Sequence, residues 1–363
     1  MTPISQKPRS TSNATFKNVL WTLQEKLLQT CGNNACQKYP SRAYAWRHPP
    51  LNMACDGPLT AYQPAAASSD RRLVFDKRKS HSGIAVSVPC GQCSGCRLEH
   101  SRQWAVRCMH ELKSLPAGTT SAMLNLTYDN EHVPHGYTLS LRDYQLFLKK
   151  LRKISGPGLR FFGCGEYGDK NHRPHYHIIT FNYRPTDTAL YKRGPDYNLY
   201  TSETLTSLWG NGHAVIGDVS FESCAYVARY CLKKMTGKQA DEHYTITLPD
   251  GSKFRRLREF NTMSRNPGLA FNYYQQYQSE ILAHDNIIMN GKTVSIPRYY
   301  DKLTEKFDSN MRNKIQKSTL ETIKSKRVRK ALVTLDKADN TSRRRRTKEL
   351  VRLAKLKQKA REL

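Results

Sequence analysis

The sequence predicts an α+β fold: an antiparallel sheet with flanking helices, followed by a basic C-terminal tail. Short stretches with alternating apolar residues recur at 121–128, 159–166, 175–182 and 214–220. Longer segments with helical spacing lie between and beside them, at 95–115, 140–154 and 223–235. The stretches 159–166 and 175–182 are joined by a polar connection containing Gly168 and Pro174, which reads as a hairpin and makes the sheet antiparallel.

Residues 1–52 mix Ser, Asn, Thr and Pro around one short amphipathic stretch, 16–29, and are expected to be a disordered or non-native extension. Met53 opens a segment of different character, Met53-Ala54-Cys55-Asp56-Gly57-Pro58-Leu59; either translation begins there or the preceding residues are dispensable. Residues 60–82, rich in Ala, Ser, Lys and Arg, read as a loop or linker inside a Cys-rich segment, 53–118, that ends in a helix. In that helix Leu98, Trp104, Ala105, Cys108, Met109 and Leu112 fall roughly on one face. The strand 121–128 alternates Ala122, Leu124 and Leu126 with Met123, Asn125 and Thr127. Ser140 caps the helix 140–154, which Gly156-Pro157 ends, and Ser223 is the expected N-cap of 223–235. Residues 119–300 form the core with accessory elements. From 301 to 363 the chain is dense in Lys and Arg, extreme at Arg343-Arg344-Arg345-Arg346, and reads as a helical or disordered tail.

With 363 residues the chain has room for two domains, or one with long appendages. Its net charge of +29 favours polyanionic partners, because each phosphate neutralised by Lys or Arg releases condensed counterions. No apolar run of about 18 residues and no signal-peptide pattern is present, which points to a soluble protein of the cytoplasm with no membrane partner. In such a chain the ten cysteines are better read as metal ligands or buried thiols than as a disulfide framework.

Three constellations carry chemistry. On a strand, His175 and His177 emerge on one face while Tyr176 points away, and an antiparallel partner brings Glu166 opposite them. Two imidazoles and a carboxylate with open positions suit Mg²⁺ or Mn²⁺ beside a phosphate; imidazole also suits Zn²⁺, and an exposed HxH without a ligand is the plain alternative. At helical spacing Tyr226 and Tyr230 lie one turn apart, with Lys233 on the same face and Lys234 beside it. A phenol is a weak nucleophile unless a cation stabilises the phenolate, which lysine can do; two buried aromatics in a basic helix are the alternative. Finally, Cys90, Cys93 and Cys96 are spaced for one metal, and a tetrahedral Zn²⁺ site needs a fourth ligand. Cys55 is the first choice, with Cys108 and His100 behind it; an iron–sulfur cluster and free thiols are the competing readings.

The order of these motifs, a carboxylate, then HxH, then YxxxYxxK about fifty residues on, resembles the HUH endonucleases of rolling-circle replication. The strand Met123-Leu124-Asn125-Leu126-Thr127-Tyr128-Asp129 resembles their first motif. The paired tyrosines, the segment Met53 to Leu59, Val88-Pro89-Cys90-Gly91-Gln92-Cys93 with Cys96-Arg97, and Ser101-Arg102-Gln103-Trp104 are similar to the replication initiators of gokushovirus-like phages of the Microviridae. The resemblance covers about 53–270; where those initiators usually carry Lys, this chain has Arg229, which keeps the charge.

The resemblance implies an HUH-type, RRM/ferredoxin-related core that acts as a metal-dependent nicking endonuclease and strand transferase. One tyrosine attacks an origin phosphodiester in single-stranded DNA, leaving a 5′-phosphotyrosine and a free 3′-OH for the polymerase and helicase of a bacterial host. The second tyrosine cuts the regenerated origin and the displaced strand is religated. Tyr226, Tyr230 and Lys233 are then catalytic, Glu166, His175 and His177 hold the metal, and Arg173, Arg229 and Lys234 face DNA. A relaxase or transposase of the same chemistry fits less well, because relaxases usually place their tyrosines before the histidine motif and single-tyrosine transposases lack the second nucleophile. A non-catalytic, zinc-stabilised nucleic-acid-binding protein is the rival from another class.

Overall fold

The computed structural model describes residues 55–64, 73–168, 171–194, 197–230, 239–310, 322–323, 326–327 and 340–361. The expected N-terminal extension, Met53, Lys233 and Lys234 lie outside the described residues. The chain divides into two compact units, one of residues 1–93 with 336–363 and one of 94–335.

In the first unit β1 (Leu59–Pro64) pairs antiparallel with β2 (Ser80–Val88), Ala61 opposite Val86. This corrects the expectation of a loop or linker at 60–64 and 80–82. Ala61 is fully buried, so a residue that looked like linker composition is a packed strand position.

The second unit runs through α1 (Ser94–Lys113), β3 (Ala122–Tyr128), α2 (Leu141–Ser155), β4 (Arg160–Tyr167) and β5 (Pro174–Phe181). A hairpin of β6 (Ala189–Arg193) and β7 (Asn198–Thr201) follows, then α3 (Glu203–Trp209), β8 (Gly212–Gly217) and α4 (Phe221–Tyr230). Next come α5 (Gln239–Tyr244), the small hairpin β9 (Thr245–Thr247) and β10 (Lys253–Arg255), and β11 (Phe260–Met263). Then come α6 (Phe271–His284), the hairpin β12 (Asn286–Met289) and β13 (Lys292–Ser295), and α7 (Arg298–Asn310). In the first unit the tail forms α8 (Ser342–Arg361). Seven strands join in one sheet in the order β11-β4-β5-β3-β8-β7-β6, and every pairing in it is antiparallel. The α+β class with a large antiparallel sheet and flanking helices is therefore borne out.

Alternation divides the sheet into two packed faces. On one face Leu124, Leu126, Tyr176, Ile178 and Ile216 meet Tyr144, Phe147 and Leu151 of α2 and Trp209 of α3. On the other face Met123, Phe162, Cys164 and Ile179 meet Ala105 and Cys108 of α1 and Cys224, Val227 and Ala228 of α4. A third cluster gathers Val106 of α1 with Tyr274, Ile281, Tyr300 and Leu303 of α6 and α7.

The helix ends show which local signals governed. Ser140 Oγ accepts from the Asp143 N–H at 3.2 Å, and Gly156 takes φ 73° beyond the last turn, as its sequence position predicts. Ser223 is not the cap of α4. Ser220 takes that place: its Oγ accepts from the Ser223 N–H (3.1 Å) and its own N–H donates to Ser223 Oγ (2.8 Å). The reciprocal pair satisfies two donors at once, which a cap at Ser223 could not do.

Helix α1 is less apolar inside than its pattern suggests, because it buries Ser101, His110 and Glu111. Each has partners: Ser101 Oγ donates to the Ala225 carbonyl at 3.1 Å, and Glu111 pairs with Arg160 and accepts from the Ala270 N–H at 2.6 Å. His110 bonds through Nδ1 to the Tyr300 hydroxyl at 2.6 Å and stacks on Tyr273 with ring centroids 3.8 Å apart. Burial, with the Lys113 charge adding to it, pushes His110 down to about 3. The unfolded state then binds a proton that the folded state refuses between about pH 6.5 and 3, so stability falls as pH drops through that window. The variant His110→Phe keeps the stacking ring and loses the proton. Chemical denaturation across that window is expected to show a pH slope shallower than wild type by up to about 1.4 kcal/mol per pH unit; equal slopes would contradict this assignment.

Candidate active site and metal centre

The hairpin β4–β5 sets Glu166 opposite His175, and β3 sets Thr127 opposite His175 and Asn125 opposite His177. Tyr176, between the histidines, is fully buried on the opposite face. There its hydroxyl accepts from the Ser140 N–H at 2.8 Å and lies 2.9 Å from the Tyr128 hydroxyl. Both phenols are desolvated: Tyr176 is pushed up to about 12 and Tyr128 higher still, so neither is available as a phenolate nucleophile.

His177 is held at both nitrogens. Its Nδ1 lies 2.6 Å from Asn125 Oδ1, and its Nε2 lies 3.0 Å from Glu166 Oε1, with Glu166 and His177 both buried. If Nδ1–H donates to the amide oxygen, Nε2 turns a lone pair towards a carboxylate oxygen. Two acceptors in that arrangement need a proton or a metal cation between or beside them. His175 follows the same plan, with Nδ1 3.0 Å from Thr127 Oγ1. Its ring lies beside Gly168, where an added Cβ would stand 2.9 Å from Nε2. An N₂O donor set whose imidazoles are tied through Nδ1 fits a divalent ion on chemical grounds. The three donors are not drawn into one tight cage; among the described residues that closeness occurs elsewhere, in the cysteine cluster.

Helix α4 lies across this face. Cys224, Val227 and Ala228 bury into the core beside Cys164, and the Tyr226 ring meets the His177 ring edge-on, centroids 5.5 Å apart. Tyr230 is the last described residue of the helix, Arg229 before it is half-buried, and Lys233 and Lys234 fall beyond. Arg173 is committed to the turn: Nη1 donates to the Tyr128 carbonyl at 2.7 Å and Nη2 to Asn130 Oδ1 at 2.5 Å. Sequence reading missed Asn125 and Thr127 as groups that orient the histidines. It also passed over the exposed His213, which stands opposite Thr127 on β8. A lone His beside Gly212 carries no spacing signal; the polar half of an alternating strand facing HxH could have flagged the other two.

The second constellation is tighter. The four sulfurs of Cys55, Cys90, Cys93 and Cys96 lie within 4.8 Å of one another, and Cys55 Sγ is 3.9 Å from Cys93 Sγ. Tetrahedral thiolates at about 2.3 Å from one ion stand roughly 3.8 Å apart. Backbone N–H groups point at the sulfurs: Cys90 N to Cys55 Sγ at 3.3 Å, Cys93 N to Cys90 Sγ at 3.3 Å, and Asp56 N to Cys93 Sγ at 3.2 Å. Such donors stabilise thiolate charge. Four cysteines here could hold a metal ion, with Cys55 as the fourth ligand. His100 instead has Nε2 3.2 Å from the Trp104 indole N–H, and Cys108 is buried in the core, where desolvation raises its thiol.

Comparison with known proteins places the chain. The family model for replication-associated proteins of the ORF2 type matches residues 121–235, the span of every strand and helix just described around the histidines. The replication-associated protein VP4 of Bdellovibrio phage phiMH2K is 31% identical over 240 residues, covering 63% of this chain and 71% of that protein. The chain belongs to the family of phage replication-associated proteins. The replication-associated protein ORF2 of Spiroplasma virus 4 is 30% identical over 250 residues (64% of this chain, 72% of that one). ORF4 of Chlamydia phage 1, also a replication-associated protein, is 30% identical over 254 residues (65% and 60%). No solved structure matches. The resemblance read from the motifs holds at the level of the family, and with it a role in phage DNA replication. Among the described residues no helix is long and apolar enough to cross a membrane.

Removing an orienting partner of a metal-bound histidine commonly lowers metal affinity about 10–100-fold. Asn125→Ala is therefore expected to weaken Mn²⁺ binding by that factor in titration calorimetry, with the unfolding midpoint changed little. Unaltered Mn²⁺ affinity in the variant would remove Asn125 from the site.

Proposed function

We propose that this chain is a replication initiator endonuclease. It nicks single-stranded origin DNA by tyrosine transesterification and religates the displaced strand, on an HUH-like sheet related to the RRM and ferredoxin cores. The observation that carries the reading is the juxtaposition of Tyr226 with His177, which itself faces Glu166. A nucleophile-type side chain thus stands against a donor set of the kind that binds a divalent ion at a phosphate.

Glu166, His175 and His177 would hold Mg²⁺ or Mn²⁺. Bound there, the ion would polarise the scissile phosphate and offset the charge that develops on it. The phenol oxygen of Tyr226 or Tyr230 attacks phosphorus, the 3′-oxygen leaves and takes up a proton, and a 5′-phosphotyrosine remains. One bond to phosphorus forms and one breaks, so the intermediate keeps the energy that the later joining step uses. In that step the 3′-OH freed by the second cleavage attacks the phosphotyrosine and the first phenol departs. Lys233 stabilises the phenolate, while Arg229, Lys234 and the basic tail meet DNA phosphates. Arg173, with two nitrogens already engaged, contributes chiefly by holding the hairpin turn.

Zn²⁺ is the reading favoured for the cysteine cluster, because all four sulfurs lie within 4.8 Å of one another, which suits one tetrahedral ion better than ligands spread over several irons. The partners that follow are the single-stranded origin and the polymerase and helicase of the bacterial host, in whose cytoplasm the reaction runs.

The test is a nicking assay on a single-stranded circle carrying the cognate origin, with Mn²⁺ or Mg²⁺. Wild type is expected to give nicked product, and Tyr226→Phe with Tyr230→Phe none, with DNA affinity nearly unchanged. His175→Ala should lose roughly a hundredfold or more in rate. Nicking that survives the double substitution, or that is indifferent to divalent metal, would contradict the mechanism. Tight binding with no nicking by wild type would favour a non-catalytic binding protein.

A further inference from the structure

One charged contact lies outside both the sheet and the candidate nuclease face. In the unit of residues 1–93 and 336–363, Arg352 of α8 donates through Nη1 to both carboxylate oxygens of Asp56, at 2.8 and 2.7 Å. The Asp56 side chain is only 6% exposed and that of Arg352 27%. Asp56 directly follows Cys55, and its own N–H donates to Cys93 Sγ. The carboxylate is thus presented by a backbone that the sulfur cage holds.

The helix it captures is unusual. α8 carries Arg343 to Arg346 and further Lys and Arg along its length, with Glu349 as its one acidic residue, while Leu350 and Val351 are exposed. A helix without a broad apolar stripe has little hydrophobic burial to fix its place, so polar contacts must do so. Strong repulsion within a +29 chain works against docking any basic segment, unless a local anionic spot receives it.

We propose that the four-cysteine centre, when it holds its metal, is the anchor of the C-terminal basic helix. Asp56 captures Arg352, and emptying the centre releases residues 342–361. The proposal rests on the zinc reading above. Four thiolates around a dication leave a net charge of about −2, to which Asp56 adds its own, beside an incoming guanidinium. Without metal the cage loses the ion that draws its four sulfurs together, the N–H···S bonds weaken, and Asp56 loses the backbone that aims it. Removing one side of a mostly buried ion pair is costly, so cage and pair stand or fall together. Because Asp56 occupies a guanidinium that DNA phosphate would otherwise engage, metal loading sets how much of the tail DNA can reach.

Hydrogen–deuterium exchange on the full chain, with zinc content measured in parallel, tests this. The zinc-loaded wild type should protect backbone amides in 342–361. Asp56→Asn should keep one zinc per chain yet exchange that helix about tenfold or more faster. A chelator should accelerate exchange in wild type to the same level and add little in the variant, and Cys90→Ser should behave as the stripped protein. Protection that persists in Asp56→Asn, or in wild type after zinc is removed, would overturn the proposed anchor while leaving the zinc site intact. A purified chain that binds no zinc would overturn both, whereas the nicking reaction would be untouched by either result.

Discussion

The bond between His177 Nδ1 and Asn125 Oδ1 decides which imidazole nitrogen faces Glu166. With the contact to Glu166 it links three neighbouring strands, β3, β5 and β4, through side chains on a single sheet face. The partner bond from Thr127 to His175 sets the second ring the same way. These two bonds each favour one orientation of the ring they hold. Through them the two strand histidines are oriented by the strand behind them, as the proposed metal site requires.

The position of the tyrosine helix follows from the same face. Small and thiol side chains, Cys164 on the sheet and Cys224 and Ala228 on α4, let the helix approach closely enough for the Tyr226 ring to touch His177. Ser101 ties α1 to the Ala225 carbonyl, so the helix is gripped from its other side as well. Of the tyrosines near the site, Tyr128, Tyr144 and Tyr176 are buried with their phenols desolvated and serve the core. Tyr226, half-buried beside the imidazole, is in the right place for chemistry. That placement sets Tyr226 apart from the tyrosines of the core, which tyrosine abundance alone could not do.

Some of this was legible in residues. Period-two alternation was enough to put His175 and His177 on one face and bury Tyr176, because a strand offers no other arrangement. Ser140 and Gly156 marked the ends of α2 because caps are local. The three clustered cysteines called for a fourth partner, and Cys55 brings its sulfur beside theirs from 35 residues away. Other features depend on register or packing, which no local pattern encodes. Asn125 and Thr127 read as the outer half of a strand until β5 was laid beside them. The strand at 59–64 has linker-like composition, and only its pairing with 80–88 gives it a structure. Ser220 outcompeted Ser223 as the cap by forming a reciprocal bond that neither residue announces alone.

The central claim is that a tyrosine on α4 becomes covalently joined to DNA. Mass spectrometry of tryptic peptides, after wild-type protein is incubated with its cognate single-stranded origin and Mn²⁺ and the DNA is trimmed by nuclease, addresses it directly. A nucleotide mass on Tyr226 or Tyr230, absent when the metal is withheld, is the expected result. Nicked DNA with no modified tyrosine, or an adduct on a residue outside α4, would contradict the account.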